Sequence, residues 1–308
     1  MRPHTKDSSR VYIMNDKPLV TIGICSRNEK HTIRQTIDSV LAQNYPHEFM
    51  EIIFVDDSGD ETFSIIQDHT SKIDLKVKVF RGSSKGLGLA RNLVIDNAKG
   101  DYIVWVDADI MIPPDHVQKQ VIFMEQNPKV GIAKARFYPA PQKGLVPTLE
   151  NLEFMVTEYI VSKKKTQNIP CYLAGGSIYR TEAIKQINGF DTRITGAGED
   201  EEIEWRMGRA GWLVHTGTDA SYFEWRKQTW KALWDNHFWY GYGAHYLYHK
   251  KVRSVKFFNI LSGFLFSRTA YQLTHRKVSF LLLMQYYFKR IAWFFGLTRA
   301  HFSGYGHN

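Results

Sequence analysis

Two aspartates separated by one residue, Asp107 and Asp109, follow a run of β-favouring residues, Tyr102 to Val106. Pro113 and Pro114 then prevent the strand from continuing. In an open α/β sheet, ligands bind at the carboxyl ends of the strands. Two neighbouring carboxylates supply hard oxygen ligands for Mg²⁺ or Mn²⁺ shared with a diphosphate. A strand-ending turn with two solvated aspartates is the alternative interpretation.

A second acidic segment, Glu199 to Glu204, carries five carboxylates in six positions. The helix macrodipole favours acids in a first turn, so a solvated helix N-terminus is one interpretation. Five like charges repel one another, however, and a surface helix gains little from that density. A cleft in which one carboxylate acts as a general base is the other interpretation, because crowding raises the pKa of a carboxyl group.

Alternating strands and helices must position these residues. Strands are predicted at 19–25, 51–55, 76–80 and 102–106, and helices at 32–42, 62–69 and 86–98. This alternation predicts an α/β fold with a parallel sheet and right-handed crossovers. Farther along, the sequence predicts a helix at 116–126, a strand at 130–138, a surface loop at 139–147 and a helix at 149–162. At Gly175 and Gly176 the missing side chains would admit a ligand to the backbone, or would serve a tight turn.

Charge is distributed unevenly along the 308 residues. Residues 226–308 contain 13 Lys and Arg against Asp235 alone, whereas residues 1–225 contain 27 against 30 acids. A basic carboxyl-terminal part points to a polyanion, either nucleic acid or an anionic membrane face. Its basic residues are separated by Leu, Ile and Phe runs, which an exposed nucleic-acid-binding face would not carry, so no nucleic-acid partner is expected.

The two cysteines, Cys25 and Cys171, have no metal-type spacing, so a reducing compartment and cytoplasmic localisation are expected. Residues 1–17 are polar and charged, which predicts a flexible arm without a secretory signal.

Several short motifs occur in a specific order. They are Ser26-Arg27-Asn28-Glu29, Val55-Asp56-Asp57-Ser58, Gly88 to Asn92, Gly100 to Asp109, Gly175-Gly176-Ser177, Asn188 to Asp191, and Gly198 to Trp205 closed by Gly211-Trp212. Each motif is weak alone, but their joint order and spacing are specific. From Val20 to about Tyr222 the sequence resembles family 2 glycosyltransferases of the GT-A fold.

This resemblance implies a Rossmann-like mixed, mostly parallel sheet at 18–225, followed by a helical, amphipathic extension at 226–308. It implies transfer of a hexosyl unit, with inversion, from a UDP- or GDP-linked sugar to a saccharide or lipid-linked acceptor. Asp200 matches the general base. Donor-nucleotide contacts are expected from Ser26, Asn28, Glu29, Asp56, Asp57, Arg91, Asn92 and Asp107, and sugar or acceptor contacts from Gly175, Gly176, Glu199 and Trp205.

The metal expected from the resemblance is Mn²⁺ or Mg²⁺, held by Asp107 and Asp109. Many members of the family place a His after the acidic helix, but Glu224 stands at that position here. Glu224 can ligate either ion through oxygen, and His215 and His237 are further candidates.

The carboxyl-terminal part contains an aromatic stretch, 230–242, and two apolar segments, 257–266 and 278–297. Lys289 and Arg290 interrupt the second segment, and each charge at a bilayer centre costs about 3 kcal/mol. The sequence therefore favours amphipathic helices lying on the membrane surface, with peripheral contact through residues 253–300. A buried core hairpin is the alternative.

These patterns predict a metal-dependent glycosyltransferase at the cytoplasmic membrane face, acting on a lipid-linked saccharide or polyprenyl phosphate. A membrane-associated nucleotide-sugar-binding protein without transferase activity is the alternative. A nucleotidyltransferase is a third possibility, but this sequence lacks the Gly- and Lys/Arg-rich phosphate loop expected near the first strand of such an enzyme.

Overall fold

The computed structural model describes residues 17–71, 73, 75–83, 85–163, 175–252 and 260–306. The strands are β1 Val20–Ser26, β2 Met50–Asp56, β3 Lys76–Arg81, β4 Tyr102–Trp105, β5 Ile110–Met111, β6 Val130–Pro139, β7 Ser177–Arg180 and β8 Leu213–Glu224. The α-helices are α1 Ile33–Leu41, α2 Thr62–Thr70, α3 Leu87–Asn97, α4 His116–Gln126, α5 Leu145–Lys163, α6 Thr181–Gln186, α7 Glu199–Arg209, α8 Trp230–His249, α9 Ile260–Thr274 and α10 Leu281–Phe302. Short 3₁₀ helices lie at His47–Phe49 and Lys277–Phe280.

The eight strands form one mixed sheet in the order β3-β2-β1-β4-β7-β6-β8-β5. Strands β3, β2, β1 and β4 are parallel, as are β6 and β8. Strand β7 runs antiparallel to both β4 and β6, and β5 runs antiparallel to β8. The wholly parallel sheet expected from the alternation is thus confined to the first half, and the mixed sheet implied by the resemblance is confirmed.

Both faces of the central strands are buried, which explains their nearly continuous apolar sequences. On one face, Ile22 and Ile52 pack in the same cluster as Ile37 of α1. On the other face, Ile103 and Trp105 pack with Val94 of α3. The polar residues that follow these strands therefore collect at one edge of the sheet.

One predicted boundary was wrong. The surface loop expected at 139–147 ends early, because α5 begins at Leu145 and holds Pro147 in its first turn, where a missing N–H costs no helical hydrogen bond. After Gly175 and Gly176 the chain forms β7, Ser177–Arg180. Residues 172–174, Cys171 and residues 1–16 of the predicted arm lie outside the described residues.

The described residues of the carboxyl-terminal part form three α-helices and one short 3₁₀ helix. Helices α8 and α10 approach so closely that a Cβ at Gly296 would lie 1.9 Å from the carbonyl oxygen of Phe238. The rings of Trp230 and Trp234 pack on Phe288, so this part of the aromatic stretch serves helix packing. In the described part of the chain, no helix is both long and apolar enough to cross a bilayer. Residues 253–259, which include Arg253 and Lys256, are outside that part.

Candidate active site

The carboxyl ends of β1 and β2 are joined by short hydrogen bonds. Ser26 and Asp56 are paired in register, and the Ser26 hydroxyl donates to Asp56 Oδ1 at 2.6 Å. The hydroxyl of Ser58 donates to the same oxygen, also at 2.6 Å. Asp56 is completely buried. Its carboxylate therefore organises the two loops, while the neighbouring Asp57 is only partly buried.

Asn28 and Glu29 belong to the same hydrogen-bonded edge. Asn28 has a left-handed backbone with φ 58°, and its side-chain oxygen accepts a hydrogen bond from the Gly59 amide at 3.0 Å. The Glu29 amide donates to the hydroxyl of Thr62 at 2.9 Å. Burial, and then the charge of Asp109, raise the pKa of Glu29, so its side chain lies near the Asp-x-Asp segment.

A cavity of about 270 Å³ opens beside this edge. Asp57 and Asn92 line it together with Arg81, the last residue of β3, and Gly82. The amide of Asn92 also pairs with the backbone of Phe190, donating to its oxygen at 2.9 Å and accepting from its nitrogen at 2.7 Å. Asn92 thus holds the start of the 190–198 segment, and its predicted contact with a nucleotide stays a prediction.

Arg91 connects the two acidic segments. Its guanidinium donates to Glu199 at 2.7 Å and to Asp107 at 3.2 Å, and only 2% of the side chain is exposed. The rings of Trp105 and Phe190 lie 5.6 and 5.4 Å from the guanidinium carbon. The structure therefore gives Arg91 an internal role, in which it fixes α7 to the end of β4.

Cations are paired with three carboxylates of the acidic helix α7. Glu199 is paired with Arg91, Glu202 with Arg206 and Lys250, and Glu204 with Lys134. Asp200 keeps a partly exposed side chain, and one of its oxygens accepts from the Glu201 amide at 2.8 Å. Asp200 is therefore the carboxylate of the first turn that a substrate can reach, since the other three are buried.

Burial raises the pKa of Asp200, while the charges of Lys134 and Arg91 lower it. Burial also raises the pKa of Glu199 to about 7, against the opposing charge of Arg91. We expected repulsion from neighbouring glutamates to be the main cause of the raised pKa of Asp200, and this expectation was wrong. Glu202 is bound by its own cations, so desolvation dominates.

Asp109 and Glu224 meet through the pairing of β5 with β8. Burial, and then the charge of Asp109, raise the pKa of Glu224 to about 8. The ammonium group of Lys227 lies 3.3 Å from Asp109 Oδ2. Asp109 is the largest cause of the raised pKa of Lys227, so this lysine is a fixed cation beside the carboxylates.

Mg²⁺ and Mn²⁺ prefer oxygen ligands, and the carboxylates at this edge of the sheet supply them. The chemistry of these side chains therefore fits either ion. In the conformation described, no three His, Cys, Asp or Glu side chains of the described residues are grouped closely enough to hold an ion. His215 packs on Phe123 at 4.5 Å, and the Nδ1 atom of His237 bonds the backbone of Leu233. Neither histidine is brought to the carboxylates by these contacts.

The paired glycines pack against the protein itself. A Cβ at Gly175 would lie 2.3 Å from Ile110 Cδ1 and 2.8 Å from Asp107 Oδ2. Gly176 has φ +67°, and a Cβ there would lie 2.2 Å from the Tyr222 ring. Close packing thus accounts for the missing side chains at both positions, and the left-handed backbone of Gly176 fits the tight-turn interpretation. The predicted sugar or acceptor contact of the two glycines stays a prediction. Trp205 lies five residues after Asp200, on another side of α7, under the guanidinium of Arg209 at 4.8 Å.

Two cations of this site, Lys134 and Lys227, were not predicted. Lys134 interrupts the apolar sequence of β6, and a charge inside a buried strand is a detectable sign of a paired partner. Lys227 has no comparable sign, because only the pairing of β5 with β8 brings it to Asp109.

Comparison with known proteins agrees with this geometry. Residues 21–187 match the model of glycosyl transferase family 2. The chain is 38% identical over 112 residues to a putative teichuronic acid biosynthesis glycosyltransferase TuaG of Bacillus subtilis, an alignment covering 36% of this chain and 43% of the relative. It is 26% identical over 228 residues to the probable glycosyltransferase YdaM of the same organism, covering 72% of this chain and 54% of YdaM.

The fold is similar to that of a mannosyltransferase of Pyrobaculum calidifontis solved with GDP-Man and Mn²⁺. The TM-score is 0.59 at 19% identity, over 93% of this chain and 74% of that one. The chain spans about half the length of the curated relatives named above. Since the family match covers more than half of the sequence, including the Asp-x-Asp segment, the chain belongs to glycosyl transferase family 2.

Proposed function

We propose that this protein transfers a sugar from a nucleoside diphosphate sugar to a hydroxyl or phosphate acceptor, with inversion at the anomeric carbon. The observation that carries the proposal is the link from Asp107 through Arg91 to Glu199. It holds the Asp-x-Asp segment beside the first turn of α7, and we propose that the substrate cleft lies between them. A donor diphosphate beside Asp107 would thus lie within reach of the Asp200 carboxylate.

The nucleoside is expected at the cavity beside Asp57, Arg81 and Asn92. That cavity follows β2 and β3, while the Asp-x-Asp segment follows β4 two strands away in the sheet. A base in the cavity would point its diphosphate towards the Asp-x-Asp segment. The Mn²⁺ or Mg²⁺ complexes of UDP- and GDP-sugars are the donors that this arrangement favours.

We propose that Asp107, Asp109 and Glu224 hold the divalent cation, with Lys227 as the resident counter-charge. Burial is the largest cause of the raised pKa of Glu224, and the charge of Asp109 adds to it against the charges of Arg226 and Lys227. The assignment is supported by this proximity of the Asp109 and Glu224 carboxylates. When bound, such a cation stabilises the negative charge of the departing diphosphate. Lys227 lies where its ammonium group can serve the same electrostatic purpose.

Asp200 acts as the general base in this proposal. As the oxygen of a hydroxyl acceptor attacks the anomeric carbon and the bond to the diphosphate oxygen breaks, the hydroxyl proton passes to Asp200. A fully ionised phosphate acceptor attacks without this proton transfer. Burial raises the pKa of Asp200, which makes the carboxylate a stronger base, and the charges of Lys134 and Arg91 oppose that rise and favour the ionised form that accepts the proton. Glu199 is occupied by Arg91 and is a positioning residue.

The acceptor we propose is a lipid-linked saccharide or polyprenyl phosphate at the cytoplasmic face of a membrane. Its support is the position of α8, which begins three residues after Lys227. Trp230 in its first turn packs on Phe288 of α10 at 5.1 Å, so the cleft lies next to the apolar helices.

Donor class and metal dependence are tested first by thermal shift with UDP- and GDP-sugars, each with and without Mn²⁺, because a ligand that binds only the folded state stabilises it. Asp109→Ala should then reduce turnover about 10²- to 10³-fold. Asp200→Asn should reduce transfer about 10²- to 10⁴-fold while donor binding persists. Asp235→Asn, on the exposed surface of α8, is the matched control.

Full activity of Asp109→Ala would refute the metal assignment, and full activity of Asp200→Asn would move the base to Glu199 or Glu201. A wild-type protein that binds a donor but neither transfers nor hydrolyses it would identify a nucleotide-sugar-binding protein instead.

A further inference from the structure

The buried face of α10 carries two polar side chains among its apolar and small residues. Gln285 and Lys289 face inward and are at most 8% exposed. Gln285 donates to Glu150 of α5 at 2.6 Å, and Lys289 is paired with Glu150 and with Glu153 at 2.6 Å. The inner face of α10 is thus anchored by polar contacts.

The outward face of α10 is apolar. Met284, Ile291, Phe295 and Phe302 recur at intervals of seven and four residues, which places them on one stripe of the helix. They are 48 to 85% exposed, and Phe294 beside them is 58% exposed. An exposed apolar stripe of this length marks an interaction site rather than scattered surface residues.

Helix α9 and the turn before α10 extend this surface. Phe264, Leu265 and Phe280 are each more than half exposed. We define the docking surface as the exposed apolar residues of α9 and α10 together with Phe280. It lies on the part of the chain that packs beside the cleft through Trp230 and Phe288.

The charge around the docking surface identifies the occupant. Residues 260–306 contain six Lys and Arg and no acidic residue. Lys289 is neutralised internally, and the other five are exposed: Arg268, Arg276, Lys277, Arg290 and Arg299. A second copy of this chain would bring the same positive charges against each other, whereas an anionic lipid surface complements them.

We propose that the docking surface binds an anionic membrane, with α9 and α10 lying in the headgroup region and not crossing the bilayer. Phenyl and aliphatic side chains would enter the acyl boundary while the arginines remain at the phosphates. This inference deepens the proposed function, because it assigns the surface that delivers a lipid-linked acceptor. Its test requires neither donor nor catalysis.

Flotation of the full chain with vesicles tests the proposal, using phosphatidylcholine alone and one part phosphatidylglycerol to two parts phosphatidylcholine. The wild-type chain should float with the anionic vesicles, and added salt should weaken the binding. Phe294→Ser with Phe295→Ser should abolish flotation. Leu213→Ser, equally exposed at 56% on β8, should leave it unchanged.

Charge is tested by Arg290→Gln with Arg299→Gln, which should weaken binding to anionic vesicles about 25-fold, or about fivefold for each charge. Lys129→Gln, on the exposed loop before β6, is its control. Flotation that these variants do not change, or wild-type chain that stays in solution, would overturn the proposal. A dimer of the wild-type chain that is detected by light scattering and is dissociated in the serine pair would also overturn the proposal. The docking surface would then be an interface between two copies of this chain.

Failure of vesicle binding is distinguishable from failure of the proposed function. Transfer to a soluble acceptor analogue should be equal in the wild-type chain and in the serine pair, since neither phenylalanine belongs to the cleft.

Discussion

The ammonium nitrogen of Lys227 lies 3.3 Å from a carboxylate oxygen of Asp109, at the place where a divalent cation is proposed. Lys227→Met should increase the affinity for Mn²⁺ by about tenfold or more, because the ion would no longer compete with an adjacent charge. Titration calorimetry without donor measures this affinity. The control is Lys231→Met, one turn farther on and 84% exposed. An unchanged or weaker affinity would show that Lys227 does not oppose the ion.

Arg91 is buried between Asp107 and Glu199, and its loss would leave two carboxylates without their cation. Arg91→Met should lower the free energy of unfolding by about 3–5 kcal/mol, as measured by chemical denaturation. Lys119→Gln, which breaks the half-exposed pair with Asp115, should cost only a few tenths of a kcal/mol, about 0.3–0.5. Similar losses in both variants would contradict the structural role of Arg91.

Lys134 lowers the pKa of Asp200, so its charge should control the pH dependence of transfer. Lys134→Met combined with Glu204→Gln removes the buried ion pair without leaving a charge unpaired. The acid limb of the kcat profile, where Asp200 gains its proton, should move to higher pH in this variant. A profile unchanged in position, with a reduced kcat only, would indicate a merely structural role for Lys134.

Protonation of His116 should destabilise the fold at acid pH. The ring is fully buried, its Nδ1 bonds the Ser221 carbonyl at 2.7 Å, and burial lowers its pKa to about 4. Because the folded pKa lies below the unfolded value, stability is full above about pH 6.5 and falls as the pH approaches 4. The loss should reach about 3 kcal/mol.

Denaturation at pH 7, 5.5 and 4.5 measures this loss, and His116→Gln should remove most of the pH dependence. The exposed His31→Gln is the control and should behave like the wild-type chain. An equal fall in stability for His116→Gln would assign the acid sensitivity to other groups.

Much of the fold follows from local sequence. The apolar runs at β1, β2 and β4, each ended by polar residues, predicted the strands to within one or two residues, because strands buried on both faces leave a continuous apolar pattern. The candidate site residues Asp107, Asp109 and Asp200 could also be identified from local sequence, because they stand at the ends of these elements or at a helix N-terminus.

The sequence by itself determined the elements, the edge of the sheet that carries polar residues, and the family. Tertiary structure decided which charges meet: Arg91 with Glu199 across 108 positions, Lys134 with Glu204 across 70, and Lys227 with Asp109 across 118. It also decided which side of α10 is buried, and it placed the ammonium group of Lys289 against two glutamates of α5. Local patterns report whether a residue is apolar and how it repeats, whereas the pairing of distant charges depends on the register and packing of the folded sheet.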